Sequence, residues 1–369
     1  MKFRCDTASL REAVSIVGRV VAPRSSIPAL EGILLRTCVG GIELFGYDLD
    51  LGISTKLSAF VEEYGEIVLP AKVLQEIARR LPGETTDVLV GEKCLTEIVS
   101  GAAEYTIIGM GAEEFPEFPS FEDAARFPVA QETLASMIGQ TLFAISQTDT
   151  KPVHTGSLFE LDGTTLQVIS VDGYRLAMRR EPVQVAEPMR FVVPGKALAE
   201  VVRILDPASE EPAEVIVAKK HVFFKMQNYE VFSRLLEGEF LDYNAAIPKG
   251  GKIRVRVETR ALTDSVDRVS LLISDRLRSP LRVKFEQDEI RMTCSTALGR
   301  ASDTVAAKND GERLEMGFNN RYLLDALRNV DCDEIILEIS GPLAPMKLLP
   351  PEGDAFLFLV LPVRLKAEG

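Results

Sequence analysis

The chain has 369 residues, 46% of them hydrophobic and 26% charged, with a net charge of −13. That length exceeds one ordinary core and points to two or three domains, while the acid excess argues against a surface coated with cations for indiscriminate phosphate binding. The start, Met1-Lys2-Phe3-Arg4-Cys5-Asp6, has no apolar leader, and the apolar run near 355–363 falls short of the ~18 residues a membrane helix needs, so a cytoplasmic protein is expected.

In chain order, SLREAVSIVGRVV (9–21) places Leu10, Val14 and Val17 at helical spacing. GILLRTCVGGIELFGYD follows, two apolar runs around a Gly-Gly turn, which predicts a hairpin. Asp48 and Asp50 come next and are read as a turn. A helix is predicted over 70–82 (PAKVLQEIARRLP), then alternating strands with glycine turns to Met110, then an acid-Phe turn, EEFPEFP (113–119). Helices are expected again over 133–145 and 194–206, a second acid-Phe turn at GEFLDYN (238–244), and helices over 261–273 and 321–331. The run from Phe356 reads as a buried edge strand. Cys5, Cys38, Cys94, Cys294 and Cys332 are scattered without CxxC spacing, as expected of reduced thiols that bind no metal.

These elements repeat. Leu-x-acid-x-x-Arg-x-apolar occurs as Leu74, Glu76, Arg79, Leu81; as Leu198, Glu200, Arg203, Leu205; and as Leu323, Asp325, Arg328, Val330. Asp48, Asp172 and Thr296 recur with the same period. The chain therefore reads as three copies of an α+β unit, over 1–125, 126–250 and 251–369. In each copy two helices should pack on one face of an antiparallel sheet. Copies would join edge to edge to hide their edge strands, and closing the array needs an oligomer with ring symmetry.

The six repeated helical segments sum to +4 in a chain of −13, so the remainder is strongly acidic. A surface lined by those helices would suit a duplex held through its phosphates without base readout. The same arginines lie three residues after an acid, where a pair stabilises a helix by ~0.2–0.5 kcal/mol. Catalytic signatures are missing: there are two histidines, His154 and His221, and no HExxH, GxxxxGK[ST], GxSxG or CxxC. No cofactor, metal or catalytic residue is expected.

Several stretches, in this order, carry a resemblance: MKFRCDTASLREAVSIVGRVVAPRSSIPALEGILL, VDGYRLA, EGEFLDYNAAIPK, MGFNNRYLLDAL and LVLPVRL. Together they resemble the bacterial DNA polymerase III beta subunit, the sliding clamp, from Met1 to Leu365. The resemblance implies a non-catalytic processivity factor: a ring-shaped head-to-tail homodimer, helices around the hole and sheets outside, encircling double-stranded DNA. It also implies that the ring is opened by a clamp loader and tethers the polymerase III catalytic subunit. It places a partner-peptide pocket between the second and third repeats, at His154, Val171, Gly173, Tyr174, Arg175, Leu176, Leu241, Ala245, Ala246, Asn319, Tyr322, Leu343, Val360, Leu361, Pro362, Val363, Arg364 and Leu365. DNA-facing candidates are Arg24, Lys72, Arg79, Arg80, Gln147, Lys151, Lys196 and Arg203; Tyr105, Leu272 and Ile273 match the dimer seam. Three pocket positions depart from the family. His154 stands for an aliphatic residue, Leu241 for proline and Ala245 for a long basic side chain. With residues 366–369 extending beyond the usual end, they suggest altered partner choice. An interaction scaffold on the clamp fold, or a specialised second-copy clamp, is the alternative.

Overall fold

The computed structural model describes residues 1–119, 124–148, 150–183, 187–274 and 279–365. The 366–369 extension lies outside the described residues. Among them are seven α-helices: α1 (Thr7–Val17), α2 (Ala71–Arg80), α3 (Gln131–Leu142), α4 (Gly195–Ile204), α5 (Tyr243–Ala246), α6 (Thr259–Ser270) and α7 (Asn320–Arg328). Six are the predicted repeated helices, each shorter than its apolar pattern. Local chemistry sets the ends. Asp6 caps α1 by accepting from the Ser9 amide at 2.7 Å. Gly18 ends it where a Cβ would meet the Gln75 side chain at 2.3 Å. At α2, Leu81 turns extended before Pro82, which disfavours helical backbone in the residue ahead of it.

The chain forms two compact units, residues 1–132 with 203–235, and 133–202 with 236–369. Each rests on a twelve-stranded antiparallel sheet. In the first, the path runs from edge strand Ala103–Ile108 through Lys2–Asp6 and Leu51–Glu63 to Tyr229–Arg234, ending at Ala125–Val129. Helix α1 packs on α2 and on strands Gly41–Tyr47 and Leu51–Glu63. In the second, the path runs from Met189–Pro194 through Arg175–Pro182 and Phe356–Val360 to Ile253–Glu258, Gly299–Asn309 and Leu314–Phe318. Here α6 packs on α7 and on Gly299–Asn309.

Repeats do join by strand addition, as expected. Strand Tyr229–Arg234 adds to Leu51–Glu63, with Ser233 opposite Leu51 and Tyr229 opposite Thr55. Strand Phe356–Val360 adds to Arg175–Pro182, with Val360 opposite Arg175 and Phe356 opposite Arg179. The residues that start these pairings, Leu51 and Arg175, stand one repeat apart. One expectation is corrected: Phe356–Val360 is not an edge strand, because Met346–Leu349 pairs with its other side. Paired on both sides, Phe356, Phe358, Leu359 and Val360 can all be buried.

Candidate functional site: an aromatic and aliphatic surface in the second unit

The second joint gathers much of the predicted pocket. Asp172 Oδ1 accepts from the Tyr174 and Arg175 amides at 2.9 and 3.0 Å, so the VDGYRL stretch is a side-chain-stabilised turn. Gly173 has φ +88°, the left-handed backbone that glycine tolerates without strain. The turn projects Tyr174 outward, 59% exposed, and Arg175 inward, its side chain 8% exposed. A charge so placed needs partners. The guanidinium donates to Asp172 Oδ2 at 3.0 Å and to Asp325 of α7, and it lies over the Tyr322 ring at 4.8 Å. Tyr322 stacks on Tyr174 with centroids 5.6 Å apart and planes at 20°. Burial raises the Tyr322 phenol pKa, and the Asp172 carboxylate raises it further.

The C-terminal strand supplies the next wall. The Leu361 amide donates to the Tyr174 carbonyl at 2.9 Å, and the Val363 amide to the Gly317 carbonyl at 2.8 Å. Gly317 has no room for a side chain, since a Cβ would meet the Val363 carbonyl oxygen at 2.7 Å and Leu365 at 2.6 Å. Val360 is buried; Leu361, Val363 and Arg364 are exposed; Pro362 and Leu365 are half-buried. Val171 and Leu176 are buried in a cluster with Val153, Phe240 and Tyr243. The His154 ring meets Phe240 edge-on at 5.3 Å. Burial, then Lys151, lowers the His154 pKa. Leu241, Ala245 and Ala246 are exposed at and within α5, and Leu343 is exposed after strand Glu334–Ile339. Asn319 is a helix cap, accepting from the Arg321 amide at 3.0 Å.

Two participants went unread in the sequence, Asp172 as a partner of Arg175 and Asp325 as its second. The repeated acid of the helix motif is the available signal, but its spacing points to the arginine three residues on. Arg79 does reach Glu76 three residues back, as does Arg80 from four. In the third repeat Arg328 instead meets Asp267 of α6 at 2.8 Å, which leaves Asp325 to Arg175. The expected pair gave way to a packed neighbour because the buried cation was the more demanding group.

Among the DNA-facing candidates, Lys72, Arg79 and Arg80 are exposed on α2, and Lys196 and Arg203 on α4. Arg24, Gln147 and Lys151 are exposed outside helices. Asp48 forms the turn expected of it, accepting from the Asp50 and Leu51 amides. Tyr105 lies half-buried in strand Ala103–Ile108, paired on one side only. Leu272 and Ile273 follow α6 and are half-buried, with Leu272 3.9 Å from the site a Gly299 Cβ would occupy. Among the described residues there is no cluster that could hold a metal and no helix long and apolar enough to cross a membrane.

Comparison with known proteins places the chain in a family. Models of the DNA polymerase III beta subunit match throughout: the N-terminal domain at residues 1–119, the central domain at 128–242 and the C-terminal domain at 244–364. A beta sliding clamp of Halalkalibacterium halodurans is 34% identical, covering 99% of this chain and all of the relative. The chain belongs to the beta sliding clamp family. The crystal structure of the Bacillus subtilis DNA polymerase sliding clamp superposes with a TM-score of 0.94 at 31% identity, over 99% of this chain and 100% of that one. A Pseudomonas aeruginosa sliding clamp, solved bound to griselimycin, superposes at 0.93 with 26% identity and the same coverage. The three clamp domains of the family are thus present, mixed α+β, on large antiparallel sheets.

Proposed function

We propose that this chain is a non-catalytic sliding clamp of the cytoplasm that encircles duplex DNA and gives processivity to the replicative polymerase. The observation that carries this is the twice-repeated strand joint together with two borders it leaves, the outer side of Ala103–Ile108 and residues 299–306 of strand Gly299–Asn309 on the side away from Glu289–Thr296. Continuing the same rule puts the last strand of the first repeat, Ala103–Ile108, on strand Gly299–Asn309 of a second copy. The register of the existing joints then sets Ile107 opposite Gly299 and Tyr105 opposite Ala301. Leu272, beside Gly299, falls at that seam with Ile273. Ile108 and Leu298, 70% and 72% exposed, flank it. Two such seams close a head-to-tail homodimer and bury edges that would otherwise invite aggregation.

Lys72, Arg79, Arg80, Lys196 and Arg203, with Arg24, Gln147 and Lys151, are proposed to meet phosphates. A closed ring need not bind tightly, which reconciles a net charge of −13 with DNA retention. Partner proteins, the polymerase catalytic subunit and the clamp loader among them, are proposed to dock short segments on the surface where Tyr174, Leu361 and Val363 are exposed. The test is topological. The protein should run at twice its chain mass, stay on circular duplex and slide off linear duplex. Equal salt-sensitive retention on both DNA forms would overturn this function.

A second reading, a scaffold that no longer encircles DNA, draws support from the ion pairs that occupy Arg79, Arg80 and Arg328. Neutralising Arg79, Arg80 and Arg203 together separates the two. A clamp loses polymerase processivity and a scaffold keeps it.

A further inference from the structure

Helix α2 carries three neighbouring charges that satisfy one another. Glu76 accepts from Arg79 and from Arg80, and all three side chains are exposed, at 45%, 63% and 62%. Arg80 also donates to the Glu76 carbonyl at 3.0 Å. One carboxylate thus holds two guanidiniums, and the trio keeps a net charge of +1. The helix does not need these arginines to finish its last turn. Arg11 of α1 closes it, donating to the Ala78 and Leu81 carbonyls at 3.1 and 3.0 Å. Nor does the repeat impose the arrangement. Glu200, at the same place in α4, is only 7% exposed, and Asp325 in α7 is paired with Arg175. At α2 an exposed carboxylate sits between two forked donors, offering them the same oxygen acceptors a phosphate would.

We propose that Glu76 is a phosphate surrogate that keeps Arg79 and Arg80 occupied between encounters with DNA, so that this helix exchanges phosphates instead of gripping them. The inference rests on the phosphate contacts proposed above and names the residue that sets their strength. Exposed ion pairs of this kind contribute little, because both partners stay hydrated and are screened by salt. Either arginine therefore leaves Glu76 readily for a passing phosphate and returns to it readily. A free arginine that binds a phosphate releases a condensed counterion, and that release makes protein–DNA contacts strong and salt-dependent. An arginine already neutralised by Glu76 trades one anion for another. The vacated carboxylate then stands unpaired beside the DNA and favours return. Phosphates are thus met weakly and let go quickly, as movement along a duplex requires. Glu76 is a positioning residue that acts through the two arginines.

The test is anisotropy of a short fluorescent duplex titrated with the full chain at several salt concentrations. Glu76→Gln, which keeps the shape and removes the charge, should bind roughly three- to tenfold tighter at low salt. Its plot of log affinity against log salt should steepen by about 0.9 for each arginine set free. Glu76→Ala should do the same. Arg79→Gln combined with Arg80→Gln should bind more weakly than the parent, and adding Glu76→Gln to that pair should change little further. Parent-like binding by both Glu76 variants overturns the surrogate. A gain of equal size without the arginines also overturns it, since Glu76 would then be one more repelling charge. If the double arginine variant binds duplex as the parent does, and the parent is not retained on circular DNA, it is the clamp function that falls.

Discussion

The two strand joints share a skeleton and differ in chemistry. Both begin at an aspartate turn, Asp48 or Asp172. Both continue with an amide from the added strand donating to a turn carbonyl, Arg234 to Asp50 at 2.8 Å and Leu361 to Tyr174 at 2.9 Å. The first joint is filled from within. Phe118 packs on Phe232 at 4.4 Å and on Tyr47 at 5.3 Å, and a Cβ on Gly52 would strike the Phe232 ring at 2.2 Å. Its mouth carries Asp50 and Arg234, both exposed. The second joint puts Tyr174 and Leu361 in those places. Backbone pairing needs only amides and carbonyls, so duplication copies it intact. The side chains at the mouth are free to diverge, and there the joints part company.

The largest expected effect tests the shared skeleton. Phe232→Ala and Phe358→Ala, each emptying a buried ring site behind a joint, should both cost about 3–5 kcal/mol in urea unfolding. Markedly unequal losses would mean the joints are not equivalent in packing. Next is Arg175→Ala, which strands Asp172, 11% exposed, without its cation. A loss of about 3 kcal/mol is expected, the low end for a buried pair because Asp325 keeps access to water. Leu51, an uncharged side chain, holds the corresponding place in the first joint. A smaller contrast follows at the turns. Asp48→Ala should cost about 1 kcal/mol through its lost backbone hydrogen bonds. Asp172→Ala should lose the Arg175 pair together with its own backbone hydrogen bonds, a cost above about 1 kcal/mol.

The smallest effect is on pH. The chain's two histidines sit one near each joint, His221 opposite Arg234 and His154 against Phe240. Burial lowers both pKa values first; Arg234 adds to it at His221 and Lys151 at His154. The unfolded chain therefore binds more protons than the folded one below the usual histidine value of about 6.5. Stability should be full above that pH and decline as pH falls through it. His154→Gln and His221→Gln should each flatten part of the decline in urea midpoints measured at successive pH values. A curve unchanged by both would remove histidine from the account.

Helices, hairpins, the aspartate turns and the threefold period were legible in the sequence because each rests on contacts a few residues apart. Apolar side chains at i, i+4 and i+7, or Asp48 two residues before the amide it caps, announce themselves locally. The proposed pocket positions rest on family resemblance, with no local pattern to announce them. That Phe356–Val360 lies between two strands, that Asp325 belongs to Arg175 and Arg328 to Asp267, and that Tyr174 rests on Tyr322 were decided by tertiary structure alone. Those partners are separated by tens to hundreds of residues, and packing against a buried cation outweighs the few tenths of a kcal/mol that favour the local pair.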